Sequence, residues 1–224
     1  MHKLLIGTIV LLGLLYGESD TGCSVANILK NTNDNLLNTH TEPNCENEQA
    51  STITAITPTL KSVKVLHNNE NVTIQREVKS KDLTCPPFCI EPMHIKDVVT
   101  VSEVEVLAFI DKLKEKKARL LIDIRKNSLY EEGTIPGAIN LPLSMLADDS
   151  KYQTKVLTLL GAKKKNGKWF FKQAQSLLIF GTSSITDDAS SAIKKLLALG
   201  YPSNKLLYYR GGINAWKALG LTVY

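Results

Sequence analysis

Short apolar segments alternate with amphipathic ones from Val98 onward, and this alternation restricts the possible folds more than any other feature of the chain. Strands that alternate with helices form a parallel sheet covered by helices on both faces. The sequence therefore predicts an α/β fold with an open parallel sheet. Strands are predicted in ARLLIDIR (118–125), TIPGAINLP (134–142), the first residues of LLIFGTSSITDDASSA (177–192) and KLLYYRGG (205–212). Helices are predicted in VSEVEVLAFIDKLKEK (101–116), YQTKVLTLLG (152–161), SAIKKLLALG (191–200) and INAWKALG (213–220).

The first of these helices has a recognisable start. Ser102 suits the N-cap, and Glu105 three residues later completes a capping box. Helical spacing places five apolar side chains on one face, which predicts that this face packs on the sheet. They are Val104, Leu107, Phe109, Ile110 and Leu113.

Residues 1–19 have the pattern of a secretory signal peptide. A short basic start precedes the uncharged run Leu4–Gly17, and small residues at Gly17 and Ser19 suit cleavage near Ser19. The run is shorter than the ~20 residues that a membrane-spanning helix needs. We therefore expect a periplasmic or secreted protein without stable membrane insertion after cleavage. An uncleaved anchor is the alternative.

Two further regions precede the α/β domain, which we predict at 94–224. Residues 20–60 are rich in Asn, Thr and Ser and show weak apolar periodicity, which predicts a flexible linker. Residues 61–93 contain two alternating runs around a turn at Asn68–Asn71, which predicts a β-hairpin, followed by a CPPFC segment. An isolated hairpin is marginally stable in water, so this one should dock on the main domain or on a partner.

The stretch LLIFGTSSITDDASSA predicts a strand, a small polar loop and a helix in direct succession. Such a junction gathers backbone N–H groups around one point, where they stabilise a nucleophile or an anion. The hydroxyls of Thr182, Ser183 and Ser184 lie in this loop, but no histidine close in sequence is present to activate them. All four histidines lie at or before position 94.

Asp123 and Arg125 follow a predicted buried strand together. The carboxyl ends of strands are where open α/β sheets place their sites, so the pair is a candidate functional element. The simpler interpretation, which we favour, is a structural ion pair that holds neighbouring loops.

Four cysteines, Cys23, Cys45, Cys85 and Cys89, allow three disulfide connectivities, and an oxidising compartment favours pairing. The segment TCPPFCIEPMH (84–94) permits three interpretations. Cys85 and Cys89 can form a structural disulfide, carry out thiol redox chemistry, or bind copper together with the adjacent methionine and histidine. We favour the disulfide, since the two prolines pre-order a turn that brings the sulfurs together.

Basic charge is concentrated in the second half of the chain. From His94 onward the chain has 20 Lys and Arg residues and 12 Asp and Glu residues. Before His94 it has 7 Lys and Arg residues and 10 Asp and Glu residues. The cluster Lys163–Lys165, with Lys168 and Lys172, flanks Asn166-Gly167, a strong signal for a two-residue hairpin turn. Such a cluster can attract an anionic partner, but a solvated hairpin is the simpler interpretation. We expect no nucleic-acid partner, because aromatic and arginine residues do not interleave with the lysines.

Several motifs in order and at matching spacing over residues 95–224 resemble the rhodanese family, and its exported branch in particular. Proline and glycine in the second motif form a tight turn, and paired glycines in the last one allow close backbone approach. These are residues of the fold more than of the chemistry. The motifs are Asp123-Ile124-Arg125, the segment 133–142, Leu199-Gly200-Tyr201, the segment 210–216, and Gly220-Leu221.

The resemblance implies transfer of a sulfane sulfur through a persulfide on a cysteine at the first position of the strand-to-helix loop. Gly181 occupies that position here, and Thr186 corresponds approximately to a second loop cysteine of the exported branch. Thr134 stands where the family usually has histidine. Asp187 and Asp188 are expected to cap the following helix and fill the anion cradle themselves. The former active-site loop is thus Gly181, Thr182, Ser183, Ser184, Ile185 and Thr186.

These features predict an exported rhodanese-like protein that has lost sulfurtransferase activity and acts as a binding or structural module. We expect no catalytic residue, cofactor or metal, and a protein or a small sulfur compound as partner. The alternative is a sulfurtransferase, sulfur carrier or thiol-redox enzyme that uses Cys85 and Cys89.

Overall fold

The computed structural model describes residues 51–114 and 118–224. The predicted signal peptide, residues 20–50 of the predicted linker, and Cys23 and Cys45 lie outside the described residues. In chain order the strands and helices are β1 (Thr52–Thr54), β2 (Ser62–His67), β3 (Glu70–Val78), β4 (Val99–Val101), α1 (Glu103–Asp111), β5 (Arg119–Asp123), α2 (Asn127–Glu131), β6 (Ala138–Asn140), α3 (Gln153–Leu159), β7 (Lys163–Lys165), β8 (Lys168–Phe170), β9 (Ser176–Phe180), α4 (Asp188–Ala198), β10 (Leu206–Tyr209) and α5 (Gly212–Ala218).

A five-stranded parallel sheet in the order β4-β10-β9-β5-β6 forms the centre of the domain. Its central strand β9 is apolar from Leu177 to Phe180, because both faces of the sheet are covered. Leu177 and Ile179 face one core with α3 and α4, whereas Leu178 and Phe180 face a second core with α1 and α5. The predicted α/β architecture is therefore confirmed.

Helix α1 has the predicted capping box but buries a different stripe from the one predicted. The backbone N–H of Ser102 donates to Glu105 Oε2 at 3.1 Å. Val106 and Phe109 are buried, whereas Val104 is 71% exposed and Leu107 is 45% exposed. The prediction was wrong at Val104 and Leu107, because the stripe of α1 that packs on the sheet runs through Val106, Phe109 and Ile110.

A separate antiparallel sheet in the order β1-β3-β2 precedes the domain. Its hairpin turn is Asn68-Asn69, with φ of 50° and 63°, and it is shorter than predicted because Glu70 already belongs to β3. Strand β1 lies in the range predicted as a linker, and it pairs with the end of β3. Residues 52–54 are therefore a strand, because three backbone pairs to β3 order them.

The second predicted hairpin is present as β7 and β8, joined by Asn166 and Gly167. Both turn residues have positive φ, 50° and 75°, as a two-residue hairpin turn requires.

Among the helices of the described residues, none is long and apolar enough to cross a membrane.

Candidate functional site

The loop between β9 and α4, residues 181–187, lies at the carboxyl edge of the parallel sheet. The start of α5 is hydrogen-bonded to this loop. Ile213 N donates to Gly181 O and Asn214 N donates to Thr182 O, each at 3.0 Å. Gly212 permits this contact. Its φ is +61°, and a Cβ there would lie 2.5 Å from Gly181 O.

The carboxylate of Asp188 occupies the space above Gly181. A Cβ built on Gly181 would lie 2.0 Å from Asp188 Oδ1 and 2.8 Å from Oδ2. The same carboxylate accepts from Thr182 N at 3.2 Å and from the Thr186 hydroxyl at 2.9 Å. A negative group of the protein itself therefore fills the point at which a side chain at position 181 would project.

Asp187 behaves differently from its neighbour. It is exposed, its side chain accepts from the Ser191 hydroxyl at 3.1 Å, and it caps no backbone N–H of α4. The expectation that both aspartates fill the cradle is therefore wrong for Asp187. The helix turns the side chain of Asp188 toward Gly181 and leaves that of Asp187 in solvent.

The hydroxyls of the loop bind the loop itself. Ser183 N donates to Thr186 Oγ1 at 3.2 Å, and Ile185 N donates to Ser183 Oγ at 3.3 Å. These two backbone N–H groups donate to hydroxyls of the loop. They are therefore not available to bind an anion.

Asp123 and Arg125 form a buried ion pair beside this loop. Arg125 Nη2 lies 2.6 Å from Asp123 Oδ2, and the two side chains are 4% and 0% exposed. The same carboxylate accepts from the Thr134 hydroxyl at 2.8 Å, and Arg125 also donates to Gly133 O at 2.8 Å. Every charged group of the pair is thus bound to protein, as a structural ion pair requires.

Cys85 and Cys89 are joined by a disulfide, and both are buried. The bond closes a short turn within residues 84–91, which we call the disulfide segment. Cys85 N donates to Thr54 Oγ1 at 2.8 Å, and the Arg76 guanidinium donates to Phe88 O. The antiparallel sheet therefore holds one side of this segment.

The other side of the disulfide segment rests on the 181–187 loop through Glu91. Glu91 N donates to Ser184 O at 2.8 Å, and the Ser190 hydroxyl donates to Glu91 Oε2 at 2.7 Å. Arg210 Nε donates to Glu91 O at 2.8 Å. Glu91 thus connects the disulfide segment, which the antiparallel sheet holds on its other side, to the 181–187 loop and to the first turn of α4.

A pocket of about 600 Å³ lies between the disulfide segment and the carboxyl edge of the sheet. Its wall is mainly apolar, and its charged members include the paired Arg125 and the hydrogen-bonded Asp188. The pocket is lined by Phe88, Ile124, Arg125, Lys126, Leu129, Pro142, Leu143, Ser144 and Asp188.

The hydroxyl of Tyr208 is a buried polar atom that has no hydrogen-bond partner among the described residues. Burial raises the pKa of Tyr208 to about 12, and the negative charges of Glu91 and Asp188 act in the same direction against the opposing charge of Arg210. Tyr208 is therefore a neutral group that adds no charge to the site at physiological pH.

Sequence reasoning missed Glu91, Ser190 and Tyr208 as members of this site. Their hydrogen-bonding groups carry no motif, and Glu91 lies 99 residues from Ser190 along the chain. Arg210 belongs to a family motif, but only the fold brings it to Glu91. In residues 51–114 and 118–224 no three His, Cys, Asp or Glu side chains are grouped so that they could hold a metal ion.

The sequence matches the family described as Rhodanese-like domain over residues 106–219. The chain is similar in structure to a protein from Bacillus halodurans, with 19% identity over 56% of this chain and 76% of that one and a TM-score of 0.43. It is also similar to the Rhodanese_3 like domain of an Anabaena protein, with 21% identity over 48% and 99% of the two chains and a TM-score of 0.34. A thiosulfate sulfurtransferase from Pseudomonas aeruginosa shows 18% identity over 57% and 20%, with a TM-score of 0.38. No curated protein matches.

Proposed function

The chain belongs to the rhodanese-like family, and from this premise we propose that it is an exported member without sulfurtransferase activity that acts as a binding or structural module. The carboxylate of Asp188 carries the proposal. It lies where the side chain of residue 181 would project, and the backbone N–H of Thr182 binds it.

Sulfur transfer requires a thiolate at that point. The thiolate attacks the sulfane sulfur of thiosulfate, sulfite leaves with the electron pair of the broken S–S bond, and the acceptor then removes the sulfur from the persulfide. Gly181 supplies no sulfur, and the nearby hydroxyls cannot form a persulfide. A fixed carboxylate in the cradle also repels an incoming thiosulfate anion.

The disulfide segment supports the same conclusion because it lies on the loop that a sulfur donor would have to approach. Glu91 binds the loop at Ser184 and places a second carboxylate beside the first turn of α4. The disulfide segment therefore has a structural role, because it packs on the 181–187 loop and on the first turn of α4. Export rests on the pattern of residues 1–19 and agrees with a disulfide, which persists in oxidising compartments.

The alternative function is thiol chemistry at Cys85 and Cys89. It is favoured by the contact between the disulfide segment and the 181–187 loop. Both cysteines are bonded to each other and buried, however, and a reactive cysteine is normally accessible as a thiolate.

The test is a thiosulfate:cyanide sulfurtransferase assay on the purified full-length protein and on Gly181→Cys. We expect no thiocyanate above the buffer blank and no mass gain of a sulfur atom on any cysteine. Gly181→Cys alone should stay inactive, because its side chain competes with Asp188 for the same space and the carboxylate raises the pKa of the new thiol.

The double variant Gly181→Cys/Asp188→Ala is the matched comparison, since it adds the thiol and removes the carboxylate. Sulfur uptake by the double variant alone would identify Asp188 as the group that closes the site. Activity of the unaltered protein would overturn the proposal, and a persulfide on Cys85 or Cys89 would establish the alternative.

A further inference from the structure

The β7-β8 hairpin, here called the basic hairpin (residues 163–170), lies in the most one-sidedly charged part of the chain. Residues 151–186 contain seven lysines and no aspartate or glutamate. Four of these lysines belong to the hairpin, and the tight Asn166-Gly167 turn forms its tip. The hairpin therefore concentrates positive charge on a small protruding element.

Strand pairing sorts the side chains of the basic hairpin into two faces. Lys164 pairs with Trp169, which is half-buried against the core, and the Lys164 ammonium lies 5.3 Å from the centre of the Trp169 ring. Residues adjacent along a strand point to opposite faces. The opposite face, which we call the outer face, thus carries Lys163, Lys165, Lys168 and Phe170.

The outer face is exposed and electrostatically uncompensated. Phe170 is 52% exposed, and Lys163, Lys165 and Lys168 are exposed as well. In the part of the chain that the structure describes, none of these three lysines forms an ion pair, whereas Lys195 pairs with Asp148. Three ammonium groups and one aromatic ring therefore face solvent together.

Helix α3, which precedes the basic hairpin, also exposes a lysine and large apolar side chains. α3 runs through a turn at 160–162 directly into β7. Tyr152 and Leu159 are 45% and 60% exposed, and Lys155 lies between them at helical spacing. Exposed lysine and exposed large apolar side chains thus occur in both elements, as they do on surfaces that rest on the headgroup region of a membrane.

We propose that the outer face of the basic hairpin binds the surface of an anionic lipid bilayer, with Phe170 entering the headgroup boundary. Charge complementarity carries the proposal, because anionic headgroups attract each lysine near the surface. The exposed aromatic ring adds burial of apolar area that a purely ionic contact would lack. The proposal is independent of whether the 181–187 loop is catalytically active.

A bilayer fits the outer face better than a nucleic acid does. Residues 151–186 contain no arginine, the residue that binds phosphate and guanine in a bidentate manner. Single-stranded nucleic acids also require several stacking platforms, and the outer face has one ring. Lysine with a single apolar anchor is the composition expected for a headgroup surface.

The test is vesicle sedimentation with the purified mature protein, which lacks residues 1–19, because the apolar run Leu4–Gly17 would itself bind vesicles. Vesicles of phosphatidylcholine are compared with vesicles containing phosphatidylcholine and phosphatidylglycerol, at low and high salt. We expect binding only to the anionic vesicles, weakened by salt. Lys163→Gln/Lys165→Gln/Lys168→Gln should weaken the affinity about a hundredfold, and Phe170→Ser about tenfold.

The matched control is Lys61→Gln/Lys64→Gln/Lys79→Gln, which removes the same charge from exposed positions in β2 and directly next to β2 and β3. Its affinity should fall much less than that of the hairpin variant. Circular dichroism and thermal unfolding show whether each variant is folded.

Equal binding to neutral vesicles, equal losses in the two triple variants, or an unaffected hairpin variant would each overturn the proposal. Binding of a single-stranded oligonucleotide without binding of anionic vesicles would identify a nucleic-acid surface instead.

Discussion

The 181–187 loop and the basic hairpin are both surface segments of the same domain, but they treat charge in opposite ways. In the loop, the carboxylate of Asp188 binds an amide and a hydroxyl of its own chain, and Glu91 binds the edge of the loop. In the outer face of the hairpin, lysines point into solvent without ion pairs in the described residues. Charge that is bound internally stabilises the fold, whereas unbound charge remains available to a partner.

The carboxyl edge of the sheet and the basic hairpin also differ in how many of their charged side chains are bound by protein groups. At the carboxyl edge of the sheet, Asp123, Arg125 and Asp188 are all occupied by protein groups. Lys126 is exposed at this edge, whereas the basic hairpin concentrates three exposed lysines that have no ion pair within the described residues. We therefore expect interaction with other molecules at the hairpin more than at the 181–187 loop.

The largest effect is expected from Asp123→Ala, which tests whether the carboxyl edge serves stability. The variant leaves the buried guanidinium of Arg125 without its carboxylate, which should lower the free energy of unfolding by about 3–5 kcal/mol. Urea denaturation measures the change. The hairpin triple variant Lys163→Gln/Lys165→Gln/Lys168→Gln is the control and should change stability by about 0.5 kcal/mol or less. A loss below about 1 kcal/mol for Asp123→Ala would contradict the comparison.

A smaller effect is expected from Asp188→Ala, with Asp187→Ala as its neighbour and control. Asp188 accepts from Thr182 N and from the Thr186 hydroxyl, so its removal should cost about 1–2 kcal/mol. Asp187 is exposed, so its removal should cost about 0.5 kcal/mol or less. Equal losses in the two variants, measured by thermal unfolding, would mean that Asp188 does not hold the loop closed.

The smallest effect, of opposite sign, is expected from Tyr208→Phe. It removes a buried hydroxyl without a hydrogen-bond partner and should leave stability unchanged or raise it by about 1 kcal/mol. Tyr201→Phe is the control, because that hydroxyl donates to the carbonyl oxygen of Gln175 at 2.7 Å and its loss should destabilise. A destabilised Tyr208→Phe would show that the hydroxyl has a partner after all.

The pH dependence of Tyr208 sharpens the same test. Its pKa rises from about 10 in the unfolded chain to about 12 in the fold, so the folded protein holds the proton more tightly. The contribution of the Tyr208 proton to the free energy of unfolding is fully present below pH 10 and is lost as the pH rises through 12. Between those values Tyr208→Phe should lose less stability with pH than the unaltered protein, as denaturant titrations at each pH will measure.

Much of the fold could be predicted because its signals are local. The Asn166-Gly167 turn, the capping box of Ser102 and Glu105, and the apolar run of β9 each lie within a few residues. The buried face of α1 could not be predicted correctly, because Val104 and Val106 are equally apolar and only the sheet decides between them.

The candidate site divides in the same way. The amino-acid sequence by itself determined the alternation of β5, β6, β9 and β10 with α1, α3, α4 and α5, the glycine at position 181 and the acidic start of α4, since these depend on residue identity and local spacing. Only the tertiary structure decided that Asp188 rather than Asp187 fills the space above Gly181, and that Glu91 joins the disulfide segment to the loop. Those outcomes depend on helix rotation and on contacts between distant segments, which the packing of the whole domain sets.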